Sequence, residues 1–355
     1  QLGGLTIENR MVKSAAGSGF GYSSEAAVEN YRAIARGGVK MIWIENLACI
    51  TKNFEVPGYG PLSDAPIQEI IDAIHGEGSY AGYQYDTMDL LIGAHTEVDF
   101  ENFSQATADD LTKDDIAALR ADIVDAVVGL KAMGVDAFEI NAAGNNLGQA
   151  FLSRMRNHRE DEYGPQSLEN RARFVTELIA AIKQACGEDF PVQVLINVLE
   201  ENDSSLGQNS LMTTLEENVE FAKLFEAAGA NSLHLRLGPL NMHVCQFASD
   251  LYFTGRGIEG TTGYGTQFDF DRHWQGMLDA SHSGCAMTLA AAKRVKDAVS
   301  IPVGAVTYMD PAHAPDMFED AIAQSAVDFL LMNRPLNVDH DYVNKLREGR
   351  IDEIA

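Results

Sequence analysis

Amide side chains stand at or near the ends of several apolar runs of the sequence. Gln84 lies in "YAGYQY", Asn141 ends "VDAFEIN", and Asn333 ends "VDFLLMN". Amides can hold a ligand by donating and accepting hydrogen bonds, but they cannot supply a proton near neutral pH. Tyr252 and Tyr264 are potential donors in a glycine- and aromatic-rich stretch further along. Long connections without clear periodicity are often functional, although either tyrosine could equally well pack in a core.

Eight short apolar runs predict the strands that would position these residues. Most runs are nearly continuous rather than alternating, which is typical of parallel strands covered on both faces. Helical patterns separate them, and several end in glycine as helix C-caps do. The predicted strands are residues 10–15, 39–46, 80–85, 135–141, 191–197, 231–237, 301–306 and 327–333. The predicted helices include residues 24–38, 114–134, 167–187, 215–229 and 312–324.

Eight alternations of strand and helix predict an α/β fold, a closed (β/α)₈ TIM barrel. We expect residues 1–355 to form this single domain, with a long insert at about 238–285 between strands six and seven. An open, doubly wound sheet is the rival, but its dinucleotide-binding form needs G-x-G-x-x-G after the first strand. The stretch "SAAGSGFGYS" (14–23) is glycine-rich without that spacing. In a barrel, function belongs to the carboxyl ends of the strands.

The composition argues against nucleic acid or membrane surfaces as partners. Lys and Arg total 26 against 52 for Asp and Glu, and the formal net charge is -26. Such a chain is repelled by phosphate backbones and anionic lipid. The uniform acidity itself mostly favours solubility.

The cysteines and the absence of apolar segments set the expected compartment. Cys49, Cys186, Cys245 and Cys285 lack the close pairing of metal sites, so we expect reduced thiols and no metal. No run is long enough to cross a membrane and no leader opens the chain, which predicts a cytoplasmic location. The first residue is Gln1, so the sequence is expected to begin inside a longer translated product.

The stretch 151–174, "FLSRMRNHREDEYGPQSLENRARF", resembles the loop after the fourth strand in the old yellow enzyme family. That pattern is roughly F-L-x-x-x-x-N-x-R-x-D-x-Y-G-G-S-x-x-N-R-x-R-F, and only its second Gly is visibly replaced here. Its charges and amides read physically as a network that fixes a long loop, not as the chemistry. "LGGLTIENRMV" (2–12) and "MNRPLNVDHDYVNKLREGRIDEI" (332–354) extend the resemblance, which looks closest to the 2,4-dienoyl-CoA reductase and enoate reductase branch.

The resemblance implies FMN at the barrel mouth, reduced by NADH or NADPH. Ser14, Ala15 and Ala16 would line the flavin, Gln84 would bind its pyrimidine edge, and Arg334, preceded by Asn333, would face its phosphate. Read without the family, Gln84 could be a core amide and Arg334 a surface ion pair. Longer members of the branch continue into an iron–sulfur cluster and a second flavin domain with FAD, a region absent from this chain.

Several positions depart from the family pattern. An Arg beside flavin N1 is replaced by Leu195, and the Gly-Arg that cradles phosphate is replaced by Thr307-Tyr308. Asn141 and Gly144 stand where the family has two side chains that hold the substrate carbonyl. The usual tyrosine proton donor falls at Asn146, so His243, a few residues past the sixth strand, becomes the best candidate donor.

Two functions stay open at this point. The first is a flavin-dependent ene-reductase that passes a hydride from reduced FMN to an unsaturated carbonyl substrate, with Asn141 holding the carbonyl and His243, Tyr252 or Tyr264 protonating the α-carbon. The alternative is a barrel that has lost FMN and serves as a binding or structural subunit or in redox-neutral proton transfer. A homo-oligomer and a separate electron-transfer domain both remain open as partners.

Overall fold

The computed structural model describes residues 1–16, 20, 25–52, 60–85, 108–144, 146–154, 156–198, 213–236, 288–306 and 309–355. Within these ranges eight parallel strands close into a barrel, each paired with the next along the chain and the last paired with the first. Helices lie between the strands. The predicted (β/α)₈ TIM barrel is therefore confirmed.

The strands agree with the predicted runs: β3 has the predicted limits, β4 begins later and ends one residue later, β5 begins one residue later, and the other five are shorter at both ends. They are β1 (Met11–Lys13), β2 (Met41–Ile44), β3 (Tyr80–Tyr85), β4 (Ala137–Ala142), β5 (Val192–Asn197), β6 (Ser232–Arg236), β7 (Val303–Ala305) and β8 (Phe329–Met332). Pro302 explains the late start of β7, because proline has no N–H to donate to a neighbouring strand.

The described helices include the five predicted ones and further short ones. They are α1 (Glu25–Arg36), α2 (Ile67–Gly76), α3 (Lys113–Met133), α4 (Leu147–Leu152), α5 (Leu168–Cys186), α6 (Leu215–Ala227), α7 (Leu289–Lys296), α8 (Pro315–Ala323), α9 (Arg334–Val338) and α10 (Tyr342–Arg347). Local signals fix several ends. Thr112 and Asp115 form a capping box at α3, Thr214 and Glu217 form another at α6, and Gly134 ends α3 with a φ of 106°.

Residues alternate along each strand between two environments. On β4, Phe138, Ile140 and Ala142 pack in the large core between the strands and the helices. Ala137 belongs instead to a second apolar cluster inside the barrel, and Glu139 contacts side chains of other strands there. This period of two is what places polar residues inside the barrel without disturbing its outer core.

The second apolar cluster fills the amino-terminal part of the barrel interior. We call it the lower cluster; its buried members are Leu2, Val12, Met41, Trp43, Ala137, Phe329 and Leu331. Leu2 reaches it because the chain before β1 folds back, with mutual backbone hydrogen bonds of 2.9 Å between Leu2 and Leu5. Apolar contacts therefore close this end of the barrel.

Two glycines make room for the aromatic rings of the lower cluster. Gly82 lies opposite Trp43, and a Cβ there would stand 2.3 Å from a ring atom of Trp43. Gly304 lies opposite Phe329, and a Cβ there would stand 2.2 Å from a ring atom of Phe329. Each large ring thus occupies the space that a side chain on the neighbouring strand would need.

Two predictions about organisation stay untested by the fold. The insert at about 238–285 lies outside the described residues, and the single-domain assignment of residues 1–355 remains a prediction. Among the described helices, none has the length and apolar character required to cross a bilayer.

Candidate active site

The carboxyl-terminal ends of the strands meet at one end of the barrel, which we call the mouth. A group of buried polar side chains lies inside the barrel, from Ser232 at the start of β6 to Asn141 near the end of β4, and we call it the polar network. Its members are Gln84, Glu139, Asn141, Gln193, Ser232 and His234. They come from β3, β4, β5 and β6, four consecutive strands. Barrels place their chemistry at this end, so the polar network is the natural candidate site.

Glu139 is the centre of the polar network and has no solvent exposure. One carboxylate oxygen accepts a hydrogen bond from the Gln84 amide, and the other accepts one from the Gln193 amide. The second oxygen also lies 2.7 Å from Nδ1 of His234, which is 2% exposed. Ser232 extends the network, because its Oγ donates to Oε1 of Gln193 at 2.8 Å. The carboxyl group is therefore surrounded by donors from three other strands.

Asn141 lies two residues beyond Glu139 on β4, on the same side of the strand. Its Nδ2 donates weakly to Oε1 of Gln84 at 3.4 Å, and its Oδ1 accepts from the backbone N–H of Ala143 at 3.1 Å. The structure thus brings together two residues that the sequence predicted separately, one for substrate and one for flavin. Asn146 lies outside this contact. It is fully buried and its Nδ2 donates to the carbonyl of Ala143, a structural role.

The predicted cofactor residues of β1 and β8 lie together at another part of the mouth. The N–H of Ser14 donates to the carbonyl of Met332 at 2.9 Å, and its Oγ lies 3.2 Å from the same oxygen. Ser14 is buried, and Ala15 and Ala16 are half-buried. Asn333 precedes the exposed Arg334, which begins α9, and Oδ1 of Asn333 accepts from Asn337 at 3.2 Å. The β1 and β8 ends therefore form one corner of the mouth.

Leu195 lies close in the sheet to two residues with an unpartnered buried polar atom, His234 opposite it on β6 and Asn197 two residues further along β5. It faces Asn141 on one side and His234 on the other in the strand register. Nε2 of His234 and Nδ2 of Asn197 are both buried, and neither has a hydrogen-bond partner in the described structure. The other end of the Asn197 amide accepts from the N–H of Gly144 at 3.2 Å. Unsatisfied buried polar atoms are uncommon in native proteins, so these two point to a missing binding partner.

Three predicted catalytic residues cannot be placed. His243, Tyr252 and Tyr264 lie outside the described residues, as do Thr307 and Tyr308. Their roles therefore stay predictions. Within the described ranges, no group of three or more His, Cys, Asp or Glu side chains is arranged to bind a metal ion.

The charged loop after β4 forms the structural network that its composition predicted. Nδ2 of Asn157 donates to the carbonyls of Phe151 and Tyr163 at 2.9 and 2.8 Å. The Arg159 guanidinium binds the Asp161 carboxylate and the carbonyl of Ala108, the latter at 2.7 Å. These bonds hold the loop together and fix it to the segment before α3. The side chains of Arg159 and Asp161 therefore have a structural role.

The second half of the loop anchors α4 and α5 to α6. Arg171, buried, binds Glu217 at 2.8 Å and Thr213 at 2.8 Å. Burial by itself would raise the pKa of Glu217, but hydrogen bonds from Arg154 and Thr214 and the charge of Arg171 lower it to about 2. Glu217 therefore stays ionised over the physiological range and holds both arginines.

The sequence analysis missed most of the polar network. Glu139, Gln193, Ser232 and His234 were passed over because each stands inside a run that reads as apolar. The available signal was their spacing. In "FEIN" and "SLHLR" the polar residues occur at every second position, the period of one strand face, and in "VQVLIN" Gln193 and Asn197 share one face with Leu195 between them. Polar residues at that period inside a fully buried strand indicate a polar barrel interior.

Comparisons with known proteins place the chain among flavin enzymes. A model of the NADH:flavin oxidoreductase / NADH oxidase family matches residues 1–234. The NADH oxidase of Thermoanaerobacter brockii is 29% identical over 373 residues, which span 100% of this chain and 51% of that protein. The cinnamate reductase of Clostridium sporogenes is 24% identical over 391 residues, which span 100% of this chain and 53% of that protein.

A solved structure supports the same architecture. The complex of 2-naphthoyl-CoA reductase with 2-naphthoyl-CoA aligns with a TM-score of 0.76 at 23% identity, covering 100% of this chain and 52% of that one. At this identity the likeness concerns the fold alone. The chain spans about half the length of these relatives.

Proposed function

Because the chain belongs to the NADH:flavin oxidoreductase / NADH oxidase family, we propose that it binds FMN at the mouth and reduces an activated carbon–carbon double bond. Family membership implies FMN as cofactor and NADH or NADPH as reductant. The observation that carries the proposal is the polar network, whose members Gln84 and Asn141 lie next to the carboxyl-terminal ends of β3 and β4, the end of the barrel where such enzymes work. The name of one relative, cinnamate reductase, supports an unsaturated carbonyl compound as substrate.

The residues at the mouth fit a polar, partly planar ligand. Nε2 of His234 and Nδ2 of Asn197 are buried and lack partners in the described structure, and a flavin ring offers hydrogen-bonding atoms along its pyrimidine edge. Gln84 already bonds Glu139 and Asn141, so its amide is held in a fixed orientation. We expect Ser14, Ala15 and Ala16 to line the ring and Arg334, with Asn333, to face the phosphate.

On the substrate side, residues of the chain itself orient the substrate and protonate it. Bound FMN supplies the hydride that is added to the β-carbon of the alkene. Asn141 can offer one amide N–H to the substrate carbonyl, because its Oδ1 is occupied by the N–H of Ala143. His243, or in its place Tyr252 or Tyr264, donates the proton to the α-carbon and completes the reduction.

The first test is the colour and chemistry of the purified protein. We expect a yellow preparation with a flavin absorption band that NADH or NADPH bleaches without oxygen. Adding cinnamate or a simple enone should then restore the band and yield the saturated product. A colourless protein that refuses added FMN would favour the alternative, a barrel that has lost its cofactor, which the departures from the family pattern at Leu195, Tyr308 and Asn333 support.

A pair of arginine variants tests the cofactor site itself. Arg334→Ala should weaken FMN binding about 10–100-fold, because a charge-assisted hydrogen bond to phosphate is lost. Arg36→Ala is the matched control, since Arg36 binds Glu77 on the outer surface at the end of α1. Equilibrium titration of FMN by fluorescence measures both. Equal affinity in the two variants would place the phosphate elsewhere.

How electrons reach the FMN is also a proposal. Direct reduction by NADH or NADPH is the simplest case. Transfer through an iron–sulfur cluster and FAD would need residues outside this sequence, as would any contact with an electron-transfer domain. A homo-oligomer also remains a prediction.

A further inference from the structure

Lys13, the last residue of β1, has a buried amino group close to the residues expected to line the cofactor. The residue is 1% exposed. In the strand register it pairs with Ile42 on β2 and with Met332 on β8, and both of these belong to the large core between the strands and the helices. Paired residues of neighbouring strands share a face of the sheet, so the side chain of Lys13 leaves the outer face, away from the barrel interior.

The amino group of Lys13 makes one hydrogen bond within the described residues. Its Nζ donates to the carbonyl of Ser14 at 2.7 Å. Burial of an amino group that can donate several hydrogen bonds and makes one is unfavourable, and natural sequences accept such local costs mainly at functional sites. The amino group keeps an N–H for this carbonyl whether it is charged or neutral, so the contact does not depend on its protonation state.

The hydrogen bond from Lys13 fixes the orientation of the peptide unit between Ser14 and Ala15. In a trans peptide the C=O and the N–H point in opposite directions, and the described chain contains no cis peptide bond. Because the Ser14 carbonyl is turned to Nζ of Lys13, the N–H of Ala15 points away from the outer core. Ala15 itself packs against the lower cluster inside the barrel, which agrees with this direction.

The N–H of Ala15 is a donor without an acceptor among the described residues. The N–H of Ser14, in contrast, donates to the carbonyl of Met332 at 2.9 Å. Ala15 is half-buried and follows β1 at the carboxyl-terminal end of that strand, which places it at the mouth. A donor that is held in one orientation before binding loses little conformational entropy when it meets an acceptor.

We infer that Lys13 is a positioning residue for the cofactor, because its hydrogen bond to the Ser14 carbonyl directs the Ala15 N–H toward an acceptor atom of bound FMN. The inference rests on the proposed function, since it takes FMN as the ligand of the mouth. A flavin ring carries carbonyl oxygens and ring nitrogens along its edge, so acceptors are available. Lys13 acts through the peptide unit and not by contact with the ring, and its charge is not required.

Replacing Lys13 by Met should weaken FMN binding and at the same time raise the free energy of unfolding. Without the amino group the Ser14–Ala15 peptide is no longer held, and the loss of one oriented hydrogen bond should reduce FMN affinity about 3–10-fold. The stability should rise because a buried amino group is replaced by an apolar side chain. A merely structural role would lower affinity and stability together, so the opposite signs distinguish a positioning role.

The experiment is an equilibrium titration of oxidised FMN by fluorescence, combined with denaturant titration of the FMN-free proteins. The wild type is compared with Lys13→Met and Lys13→Arg. Arginine keeps N–H donors at the end of a long side chain, so Lys13→Arg should bind FMN more tightly than Lys13→Met does. The absorption band of bound FMN should be displaced in Lys13→Met, because a hydrogen bond to the ring is lost.

Lys183→Met is the matched control. Lys183 is also buried, and its Nζ donates to the carbonyl of Phe190 at 2.9 Å and to Oδ1 of Asn231 at 3.0 Å. It lies in the last turn of α5, and these two partners precede β5 and β6, at the end of the barrel opposite the mouth. Lys183→Met should therefore lose stability and keep the FMN affinity of the wild type.

The outcomes separate the inference from the proposed function. Wild-type protein that binds no FMN would overturn both. Equal FMN affinity in the wild type and Lys13→Met would overturn the inference alone, as would a loss of affinity that Lys183→Met shares. A Lys13→Met variant that is destabilised or does not fold would show a structural role and also overturn it.

A measurement on the wild type tests the same inference without any substitution. The exchange rate of the Ala15 amide hydrogen, followed by NMR, should fall when FMN binds, because the N–H gains an acceptor. An exchange rate that FMN leaves unchanged would overturn the inference while leaving the proposed function in place.

Discussion

The lower cluster and the polar network fill the barrel interior in opposite ways, and β4 is the strand that contributes buried residues to both. The lower cluster is apolar and packs Trp43 over Gly82 and Phe329 over Gly304. In the polar network, Gln84, Glu139 and His234 are joined by hydrogen bonds, and Nε2 of His234 has no partner among the described residues. The lower cluster is arranged to stabilise the barrel, whereas the mouth keeps groups that cost stability until something binds them.

Substitutions in the lower cluster should therefore decrease stability, whereas some substitutions of buried charges should increase it. A change in the lower cluster removes packing that nothing else replaces. Burial of a charge, in contrast, carries a desolvation cost, so an apolar replacement can leave stability unchanged or raise it where no buried partner loses its counter-charge. The following variants test this difference, beginning with the largest expected effect.

Trp43→Ala should give the largest loss of stability. Trp43 is among the largest fully buried side chains and lies in the centre of the lower cluster. Removing it leaves a cavity, and the free energy of unfolding should fall by about 3–5 kcal/mol. Denaturant titration measures the loss. The FMN potential should stay unchanged in the folded variant, and a large shift would mean that the two ends are coupled.

Gly82→Ala should give the next largest loss of stability, because the added methyl group overpacks the lower cluster. The added Cβ would lie 2.3 Å from the Trp43 ring, a rigid group that cannot swing aside as a flexible side chain can. We expect a loss of about 3 kcal/mol, toward the upper end for overpacked cores. Gly129→Ala is the control, because Gly129 lies in α3 with nothing within 4 Å of the added atom. That variant should gain up to about 1 kcal/mol, and equal losses in both would remove the steric argument.

Lys13→Met should increase the free energy of unfolding, in contrast to the decreases expected for Trp43→Ala and Gly82→Ala. Lys13 ends β1 beside Ser14 and is fully buried, and its Nζ donates to the carbonyl of Ser14 at 2.7 Å. Burial lowers the pKa of Lys13 from 10.5 to about 8, although the charge of Glu45 raises it in part. Met should therefore increase the free energy of unfolding by about 1–2 kcal/mol at pH 7, once the lost hydrogen bond is discounted.

The pH dependence of that gain follows from the direction of the shift. The folded state loses the Lys13 proton at about pH 8, before the unfolded state loses it near 10.5, so the penalty is fully present below pH 8. It disappears as the pH rises through that window. Denaturant titrations of both proteins at pH 7 and pH 9.5 should show the advantage of Lys13→Met shrinking. A constant advantage would assign it to packing.

Much of the barrel could be read from the sequence, because its signals are local. Near-continuous apolar runs separated by helical patterns predicted all eight strands, and the charged loop after β4 predicted both a structural network and the family. Strand ends were less accurate. Nothing local distinguishes Met332, the last residue of β8, from Asn333 just past the strand, since pairing with a neighbouring strand decides where the strand ends.

The candidate site was predictable only in part. Gln84 and Asn141 were identified from their positions near strand ends, yet their contact with each other depends on the register between β3 and β4. Glu139 and His234 are separated by 95 residues, and only barrel closure brings them within 2.7 Å. The sequence also did not show that these polar residues are buried. In the sequence, Glu139 is a single charged residue within an apolar run. The structure shows that it is buried and that hydrogen-bond donors surround it.

The sequence by itself determined the class of the fold and the approximate limits of each strand, because hydrophobic periodicity and turn signals act over a few residues. The family followed from the resemblance of its motifs, above all the charged stretch 151–174. Tertiary structure alone decided which polar residues share the barrel interior. Strand register and closure set which faces meet, and burial makes the Glu139 carboxyl group depend on hydrogen bonds from side chains of neighbouring strands.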